Sequence, residues 1–310
     1  MMKAPHRHLR PAISALSLIG CAIGLNGCMS LQSGAVAADI GLLSQGGRQV
    51  DMVITPDGYR QGGGLVTYEG PGWESGKVAF RIYLDRRNAI DVFGKKSAEL
   101  ILSKIGRGGD DYHAMSAWGM DILKVGASLG AGGIGVFENG EVRQIGAAKR
   151  YKAEIIDSPA NEAAVRVTHI GSESCGGDVA VDYTIKAGQR MTSVTGSAAC
   201  DLPFAAALVI HPGTEHLESD GANGEWQYIA RYGNQSLVPD GLGLAIFYRA
   251  SDIERAGQDV DDDYIIFKTG TKPAYKTAAA WVQEKDGIGD IASFRSWLDD
   301  TQRTLNSGAQ

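Results

Sequence analysis

The sequence predicts an all-β protein, an antiparallel β-sandwich or supersandwich with a few short helices and a C-terminal amphipathic helix. Three observations predict this fold class. About a dozen short segments alternate apolar and polar residues with the period of two that a half-buried strand requires. The chain has 42 glycines among its 310 residues, enough to provide turns between such strands. No sequence repeat links the segments, which favours two large stacked sheets over a propeller.

The predicted strands follow one another along most of the chain, and Gly, Asp, Asn or Pro residues bound them. The segments with this pattern are Gln49–Thr55, Gly76–Asp85, Ala89–Phe93, Lys152–Asp157, Ala164–Ile170, Asp178–Lys186, Met191–Gly196, Ala206–His211, Gln227–Tyr232, Leu242–Arg249, Asp263–Lys268 and Thr277–Glu284. Strands of this number and length are typical of an antiparallel sandwich.

Two segments are predicted to interrupt the strands. The first, Asp111–Leu123, is interpreted as a short helix or an irregular crossover. The second, Asp290–Leu305, is an amphipathic helix with Asp290 as its N-cap. Its apolar stripe consists of Ile291, Phe294, Leu298 and Leu305. We expect this helix to pack on the outside of a sheet.

The N-terminal residues have the pattern of a bacterial lipoprotein signal peptide. Basic residues precede an apolar stretch at 12–25, which is too short and too rich in glycine to be a good membrane span. The stretch ends in Leu-Asn-Gly-Cys, so residues 1–27 are expected to be removed and Cys28 to carry the lipid. A less favourable lipid site at Cys21, or ordinary cleavage near Ala37, is the alternative.

The rest of the chain is predicted to consist of a tether at 28–38 and a single domain at 39–310. The formal charge of −6 becomes about −9 once the basic leader is removed, and no run of Lys or Arg remains. Nucleic acid and anionic membrane surfaces are therefore poor partners, and membrane contact is expected only through the lipid anchor. The predicted location is the periplasm or cell envelope, as an outer-membrane lipoprotein.

Only Cys175 and Cys200 remain in the predicted mature domain. In an oxidising compartment two cysteines favour a disulfide, and two free buried thiols are the alternative. A metal site on this pair is not expected, because neither cysteine belongs to a C-x-x-C pattern.

The stretch from Tyr68 to Gly135 mixes polar and aromatic residues more densely than any other. Alternation within it places one set of side chains on an apolar strand face: Val78, Phe80, Ile82 and Leu84. The opposite face and the residues just before it supply a second set: Trp73, Glu74, Lys77, Arg81, Tyr83 and Asp85. Such a face is typical of the floor of a polar cleft, with an ordinary charged sheet face as the alternative. We predict that Tyr83 is catalytic and that the rest of the second set binds substrate.

Three histidines are candidate catalytic bases, because imidazole titrates near neutral pH. His113 lies in an acidic and aromatic segment that also contains Trp118, a candidate substrate-binding residue. His211 and His216 flank a loop that follows an apolar strand. Glu215 is near enough to orient one of them or to contact substrate.

A second aromatic and cationic segment lies between Trp226 and Tyr232. Arg231 offers a two-pronged donor for a carboxylate or sulfate, and Trp226 offers a flat face for a sugar ring. We predict that both bind substrate and that Tyr232 is a candidate catalytic acid. A strand with edge aromatics is the alternative. The recurrence of Trp, Arg and Tyr in two separate segments favours a site.

Two other patterns have structural interpretations. Residues 130–135 match the spacing of a dinucleotide-binding fingerprint, but no predicted strand leads into them. A tight glycine turn beside a ligand cleft is predicted instead. His169 alternates with Val165 and Val167 and is interpreted as a structural histidine of a sheet.

No cofactor is expected, although a divalent metal is a possible alternative. Asp259, Asp261 and Asp263 begin like a calcium loop, but Tyr264 occupies the position where glycine is needed. A metal on the two loop histidines and their neighbouring glutamate would fit no specific zinc spacing. The site is therefore predicted to contain no metal.

Three long segments carry a family resemblance. They are GWESGKVAFRIYLDRRNAIDVFGKK (72–96), DYHAMSAWGMDILKVGASLGAG (111–132) and WQYIARYGNQSLVPDGLGLAIFY (226–248). They look like segments of a bacterial domain-of-unknown-function family that is exported and associated with polysaccharide utilisation. The resemblance covers nearly all of the chain after the leader and implies carbohydrate chemistry outside the cytoplasm. At fold level it is compatible with the galactose-mutarotase-like supersandwich, although no mutarotase signature is present.

The expected function is that of an exported enzyme, a lyase or dehydratase, which acts by elimination on oligosaccharides from uronate-containing polysaccharide. Elimination needs a cation for the developing charge, a base for the ring proton and an acid for the leaving oxygen. Arg81 or Arg231 would hold the carboxylate, a histidine would be the base, and Tyr83 or Tyr232 the acid. Arg81 and the histidine loop are predicted to share one cleft. The alternatives are a glycoside hydrolase with a carboxylate pair, a non-catalytic sugar-binding lipoprotein, and a sugar epimerase or mutarotase.

Overall fold

The computed structural model describes residues 34–60, 62–198, 200–222 and 224–308. Its strands are β1 (Val36–Asp39), β2 (Gly41–Leu42), β3 (Arg48–Gln49), β4 (Met52–Ile54), β5 (Gly72–Ser75), β6 (Val78–Ile82), β7 (Ile90–Lys95), β8 (Gly119–Asp121), β9 (Ala131–Glu138), β10 (Glu141–Gln144), β11 (Ala148–Ile156), β12 (Glu162–Ser172), β13 (Gly177–Lys186), β14 (Met191–Ser197), β15 (Phe204–Val209), β16 (Glu215–Glu218), β17 (Trp226–Asn234), β18 (Gly241–Arg249), β19 (Ile253–Gln258), β20 (Asp262–Phe267) and β21 (Ala274–Trp281). The helices are α1 (Ile291–Ser307) and short 3-10 turns at Leu43–Gln45, Thr67–Glu69 and Ala250–Asp252.

The architecture is an antiparallel β-sandwich, as the sequence predicts. One layer is a nine-stranded sheet with the order β16-β17-β18-β21-β14-β13-β12-β11-β4. Two five-stranded sheets, β1-β5-β6-β7-β8 and β10-β9-β15-β20-β19, pack against its inner face. The apolar core lies between the layers. Within it Trp73 of β5 stacks on Tyr183 of β13, with ring centroids 4.8 Å apart.

Each predicted strand overlaps a strand of the structure, because these segments alternate between a core face and a second face. The strands that alternation misses include β5 and β9. Most residues of both strands are buried on both faces, so they show no period of two.

Residues 130–135 do not form a turn, and that prediction is wrong. Most of the segment belongs to β9, which lies close to β21 of the large sheet. A Cβ atom on Gly132 would lie 2.5 Å from Oγ1 of Thr277, and the residue has a φ of +88°. Glycine is therefore needed there for close approach between the layers.

Strand β6 has the predicted alternation, but its second face is covered. Phe80 and Ile82 point into the main core, whereas Ala79 faces a separate small apolar cluster. The cluster consists of Tyr68, Ala79, Phe93, Ile101, Leu102 and Ile105, with Tyr112 and Trp118 packed against it. The covering segment at 101–118 removes this face of the sheet from solvent.

Helix α1 agrees with its prediction. Oδ1 of Asp290 accepts a hydrogen bond of 2.7 Å from the backbone N–H of Ser293, which caps the helix. Phe294, Leu298 and Leu305 pack on the outer face of β17, β18 and β21. In contrast, Asp111–Leu123 is irregular and ends in β8, so the crossover interpretation is the correct one.

The predicted disulfide is present. Cys175, in the turn between β12 and β13, is bonded to Cys200, and their Cα atoms lie 4.5 Å apart. The proposed leader at 1–27 and Cys28 lie outside the described residues. The last residues of the predicted tether belong to β1, the edge strand paired with β5. Among the described residues, no helix is both long enough and apolar enough to cross a membrane.

Candidate functional site

A buried ionic network surrounds Arg81 on the covered face of β6. The Arg81 guanidinium lies 2.6 Å from Oδ2 of Asp91 and 2.7 Å from Oδ2 of Asp121, and all three residues are almost fully buried. Asp91 is the cross-strand neighbour of Arg81 on β7, and Asp121 ends β8 on the next strand. The same guanidinium donates to the hydroxyl oxygens of Tyr83, at 3.0 Å, and Tyr112, at 3.3 Å. These contacts join three strands to the covering segment.

Two carboxylates around one guanidinium leave an excess negative charge in the network. Burial is the main cause that raises the pKa of Asp121, the nearby charge of Asp91 adds to it and Arg81 opposes both, with a resulting pKa of about 8. Asp121 can therefore bind and release a proton near neutral pH, which an exposed aspartate does not do. Perturbed carboxyl groups of this kind occur frequently at functional sites.

His113 and Tyr112 connect this network to solvent. Nε2 of His113 lies 3.6 Å from Oδ2 of Asp121, while the imidazole itself is 56% exposed. The centroids of the His113 and Tyr112 rings are 4.2 Å apart. The Tyr112 carbonyl accepts a 2.8 Å hydrogen bond from the N–H of Asp121, which fixes the segment to β8. An exposed base and a phenol thus lie side by side over a buried carboxyl group.

A cavity of about 270 Å³ opens beside Tyr112, and we call it the Tyr68 cavity. Its lining consists of Leu43, Tyr59, Gly62, Gly64, Val66, Tyr68, Glu69, Asp85, Gly106 and Tyr112. Tyr68 and Glu69 both have left-handed backbone conformations, with φ of 38° and 64°. Consecutive non-glycine residues in this region are strained, and such strain is concentrated at functional sites.

Arg87 contacts two acidic residues that line the Tyr68 cavity. It binds Asp85 through both carboxylate oxygens and lies 3.4 Å from Oε1 of Glu69. Its guanidinium carbon is 3.5 Å from the centroid of the Tyr83 ring. Burial is the main cause that raises the pKa of the Tyr83 hydroxyl, so this phenol stays protonated. Arg87 therefore pairs with two residues that line the cavity, and one of them, Glu69, is partly exposed.

Several residues predicted to bind substrate have structural roles instead. Trp73 is fully buried in the core, and its Nε1 donates to Oγ1 of Thr192 at 2.8 Å. Glu74 is also fully buried; it pairs with Lys95 at 2.7 Å and accepts from the backbone N–H groups of Ile101 and Leu102. These contacts position the covering segment, so the predictions for Trp73 and Glu74 as cleft residues are corrected.

Two other residues predicted to bind substrate have different surroundings. Lys77 is partly exposed and lies 3.6 Å from Asp286, away from the Arg81 network. Trp118 is half-buried with its ring edge-on to Phe93. Arg81 remains central, but Asp91, Asp121 and neighbouring oxygens occupy its donors, so the expected carboxylate fork is not free.

A second ionic network joins β17 to the second five-stranded sheet. Arg231 binds both oxygens of the buried Asp263 at 2.7 and 3.1 Å. Nδ1 of His216 lies 3.1 Å from the same carboxylate. The hydrogen bond to Asp263 is the main cause that raises the pKa of His216. Burial opposes ionisation of Asp263, but its hydrogen bonds with His216 and Arg231 lower its pKa overall.

The remaining candidates near this network point in different directions. His211 contacts the Lys124 carbonyl at 2.9 Å and the amide oxygen of Gln235 at 3.3 Å. Glu215 is exposed on β16. Tyr232 packs under α1, with its ring 5.4 Å from Phe294, on the opposite face of β17 from Arg231. Its prediction as an acid that acts with Arg231 is therefore corrected.

Trp226 also lies at a distance from Arg231, near the start of β17. Its ring is 5.3 Å from the guanidinium of Arg249 and 5.9 Å from Nζ of Lys276. The predicted group of Trp226, Arg231 and Tyr232 is thus divided among three environments.

The two ionic networks have no residue in common among the contacts of the described residues. Arg81 lies on the outer face of one small sheet, whereas Arg231 and His216 connect the large sheet to the other small sheet. The prediction that Arg81 and the histidine loop share one cleft is therefore corrected. Of the two, the Arg81 network has the larger set of aromatic and ionisable residues and opens beside the Tyr68 cavity.

The described residues contain no cluster of three or more His, Cys, Asp or Glu side chains arranged to hold a metal ion. In the acidic turn, Oδ1 of Asp259 accepts from the backbone N–H groups of Asp261 and Asp262, and Asp263 faces Arg231. His169 is fully buried against Tyr151, and burial lowers its pKa to about 4, so it is a neutral structural histidine.

Sequence reasoning missed some of the central residues of the candidate site. These are Tyr68, Glu69, Arg87, Asp91, Tyr112 and Asp121. Asp91 and Asp121 had a signal in the sequence, because each interrupts an apolar strand segment. A buried aspartate in such a strand requires a cationic or hydrogen-bonding partner.

The comparison with curated proteins gives no match. A family-wide model of a domain of unknown function, DUF4861, matches residues 37–310. This range begins within β1 and includes both ionic networks and α1. The chain therefore belongs to the family of the domain of unknown function DUF4861.

Proposed function

We propose that this protein is an exported carbohydrate-active enzyme that acts on uronate-containing oligosaccharides by elimination, as a lyase or dehydratase. The observation that carries the proposal is the arrangement of His113 and Tyr112 over the buried Asp121 carboxyl group, beside the Tyr68 cavity. A base, an acid and an aromatic-lined cavity are the parts that elimination on a sugar requires.

In the proposed reaction, His113 takes the ring proton next to the uronate carboxylate. The electron pair of that C–H bond forms a C=C bond, and the C–O bond to the leaving oxygen breaks. Tyr112 donates its proton to this oxygen. Asp121 orients the imidazole, while Arg81 lies behind the Tyr112 hydroxyl and stabilises charge that develops on it.

Arg87 is the proposed partner of the substrate carboxylate. Its pair with Glu69 is longer than its pair with Asp85, and the Glu69 side chain is 37% exposed. A uronate entering the Tyr68 cavity would displace Glu69 from Arg87, because the pair is long at 3.4 Å and the released Glu69 side chain is partly exposed to water. Tyr59 would provide an apolar face for the sugar ring.

The test is incubation of the purified protein with uronate-containing oligosaccharides, followed by ultraviolet absorbance for unsaturated product and mass spectrometry for loss of water. We expect His113→Ala and Tyr112→Phe to lower kcat at least about a hundredfold while the thermal unfolding temperature stays close to the parent value. Arg87→Lys should mainly raise KM. His216→Ala, in the other network, is the matched control and should retain activity.

A hydrolase is the second candidate, because Glu69 and Asp85 both line the Tyr68 cavity. Hydrolysis would add water and give a new reducing end without unsaturation, so the same mass spectra distinguish the two reactions. Product formation by His113→Ala and Tyr112→Phe at the parent rate would overturn the assignment of the site.

A further inference from the structure

A second, larger cavity lies on the other side of the sandwich. It has a volume of about 410 Å³ and is a groove between α1 and the outer face of β13, β14 and β21. Its lining includes Thr184, Lys186, Ser193, Lys276, Trp297 and Thr301, together with Asp300, whose carboxylate pairs with Arg303. The volume falls within the range of small-molecule sites. We call it the Lys276 groove.

Strand register builds the floor of the groove. Thr184 pairs with Ser193, and Ser193 pairs with Lys276, so these side chains form one row across three strands on the outer face. Nζ of Lys276 donates to Oγ of Ser193 at 2.9 Å. Lys186 lies two residues beyond Thr184 on the same face. The floor therefore presents hydroxyl groups and two ammonium groups.

In the part of the chain that the structure describes, the Lys276 ammonium has no carboxylate close enough to balance its positive charge. Within the described residues this ammonium makes no ion pair, and its hydrogen bond is to a neutral hydroxyl. Burial lowers the pKa of Lys276, and the charges of Lys186 and Arg249 lower it further. Lys186 has only a 3.6 Å pair with Glu162. A half-buried cation beside other cations favours an incoming anion.

The wall of the groove is aromatic. Trp297 of α1 stacks on Phe294, with centroids 5.8 Å apart, and contacts Phe247 edge-on at 5.9 Å. These contacts fix the indole, so little side-chain conformational entropy is lost when a ligand binds beside it. The Trp226 ring, outside the groove lining, lies 5.9 Å from Nζ of Lys276. Flat rings beside cations and hydroxyl groups are suited to a sugar that carries an acidic group.

We propose that the Lys276 groove binds an anionic saccharide, with Lys276 and Lys186 on its carboxylate or sulfate groups and Trp297 beside a ring. Thr184, Ser193 and Thr301 would donate to hydroxyl groups. The inference goes beyond the proposed elimination reaction and does not depend on it. The groove and the Tyr68 cavity lie on the outer faces of opposite layers, so the groove would hold a second part of a long chain or a second molecule.

The test is calorimetric titration of the His113→Ala protein, in which turnover does not interfere. The probes are a hexagalacturonate, a chondroitin sulfate hexasaccharide, neutral maltohexaose and inorganic sulfate. We expect the acidic oligosaccharides to bind, with weaker binding at higher salt, and maltohexaose not to bind. Lys276→Met should weaken binding about tenfold or more, and Lys276→Arg should restore most of it.

Lys149→Met is the matched control, since Lys149 is an exposed lysine of the same sheet on β11. It should bind the acidic probes like the parent. Unfolding temperatures of all variants establish that they are folded. The proposal is overturned if Lys276→Met binds like the parent, if neither acidic probe binds, or if inorganic sulfate binds as tightly as the oligosaccharides. Activity assays with wild-type protein remain a separate test of the Tyr68 cavity.

Discussion

Nη2 of Arg81 lies 2.7 Å from Oδ2 of Asp121, although the two residues are 40 positions apart in the chain. This pair connects the segment at 72–96 to the segment at 111–132, and it lies directly beneath His113. Both side chains are about 3% exposed, so the pair is shielded from water and salt. Because the carboxylates of Asp91 and Asp121 share one guanidinium, stability and the candidate chemistry depend on the same contacts.

We expect Arg81→Lys to destabilise the protein by roughly 3 kcal/mol, because one ammonium group cannot satisfy two buried carboxylates and two tyrosine hydroxyls. Urea unfolding measures this change. Arg166→Lys is the control: Arg166 forms a two-pronged pair with Asp182 on an exposed sheet face, where the loss should stay within about 1 kcal/mol. Equal effects of the two substitutions would contradict the importance of burial.

The raised pKa of Asp121 predicts a pH dependence of stability. The folded state retains the Asp121 proton up to about pH 8, whereas an unfolded aspartic acid loses it near its ordinary value of 3.8. The folded state thus binds more protons in this window, so the Asp121 contribution to stability falls as pH rises from about 4 to about 8.

Asp121→Asn should remove this contribution, so the free energy of unfolding should decline less steeply with pH. The slope should differ from that of the parent by at most about 1.4 kcal/mol per pH unit. The measurement is urea unfolding of parent and variant between pH 5 and pH 8. Glu284 and Asp262 also have raised pKa values, so only the difference between the two proteins reports on Asp121. Parallel curves for parent and variant would disprove the assignment.

The disulfide should contribute about 3 kcal/mol, since Cys175 and Cys200 close a loop with a sequence separation of 25. The double substitution Cys175→Ser with Cys200→Ser should lower the urea midpoint by the corresponding amount. The parent measured with and without reductant is the control. Equal stability of oxidised and reduced parent protein would show that the bridge does not constrain unfolding.

Lipidation at Cys28 stays a prediction from the Leu-Asn-Gly-Cys sequence. Mass spectrometry of the membrane fraction should find a mature N-terminus that begins at Cys28 and carries lipid. Cys28→Ala should abolish the modification and move the protein out of the detergent phase. An unmodified mature N-terminus at Ala38 in the parent would show ordinary cleavage instead.

The sequence by itself determined the fold class and the outer limits of most strands. Alternation identified β6, β12 and β13 because each has one face in the core, and Asp290 identified the start of α1. The cysteine count was sufficient for the disulfide. The strands depend on local periodicity and the helix start on a local hydrogen bond. The disulfide could be predicted because only two cysteines remain in the predicted mature domain.

Only the tertiary structure decided which polar residues meet. Arg81 was recognised, but the covering segment that removes it from solvent arises from contacts such as Glu74 with Ile101, which no local pattern encodes. Arg231 and Tyr232 were grouped because they are adjacent, yet adjacent strand residues point to opposite faces, and only packing decides what each face meets. A strand's periodicity fixes the side on which a residue lies, whereas long-range packing fixes whether that side meets water, a helix or an ion pair.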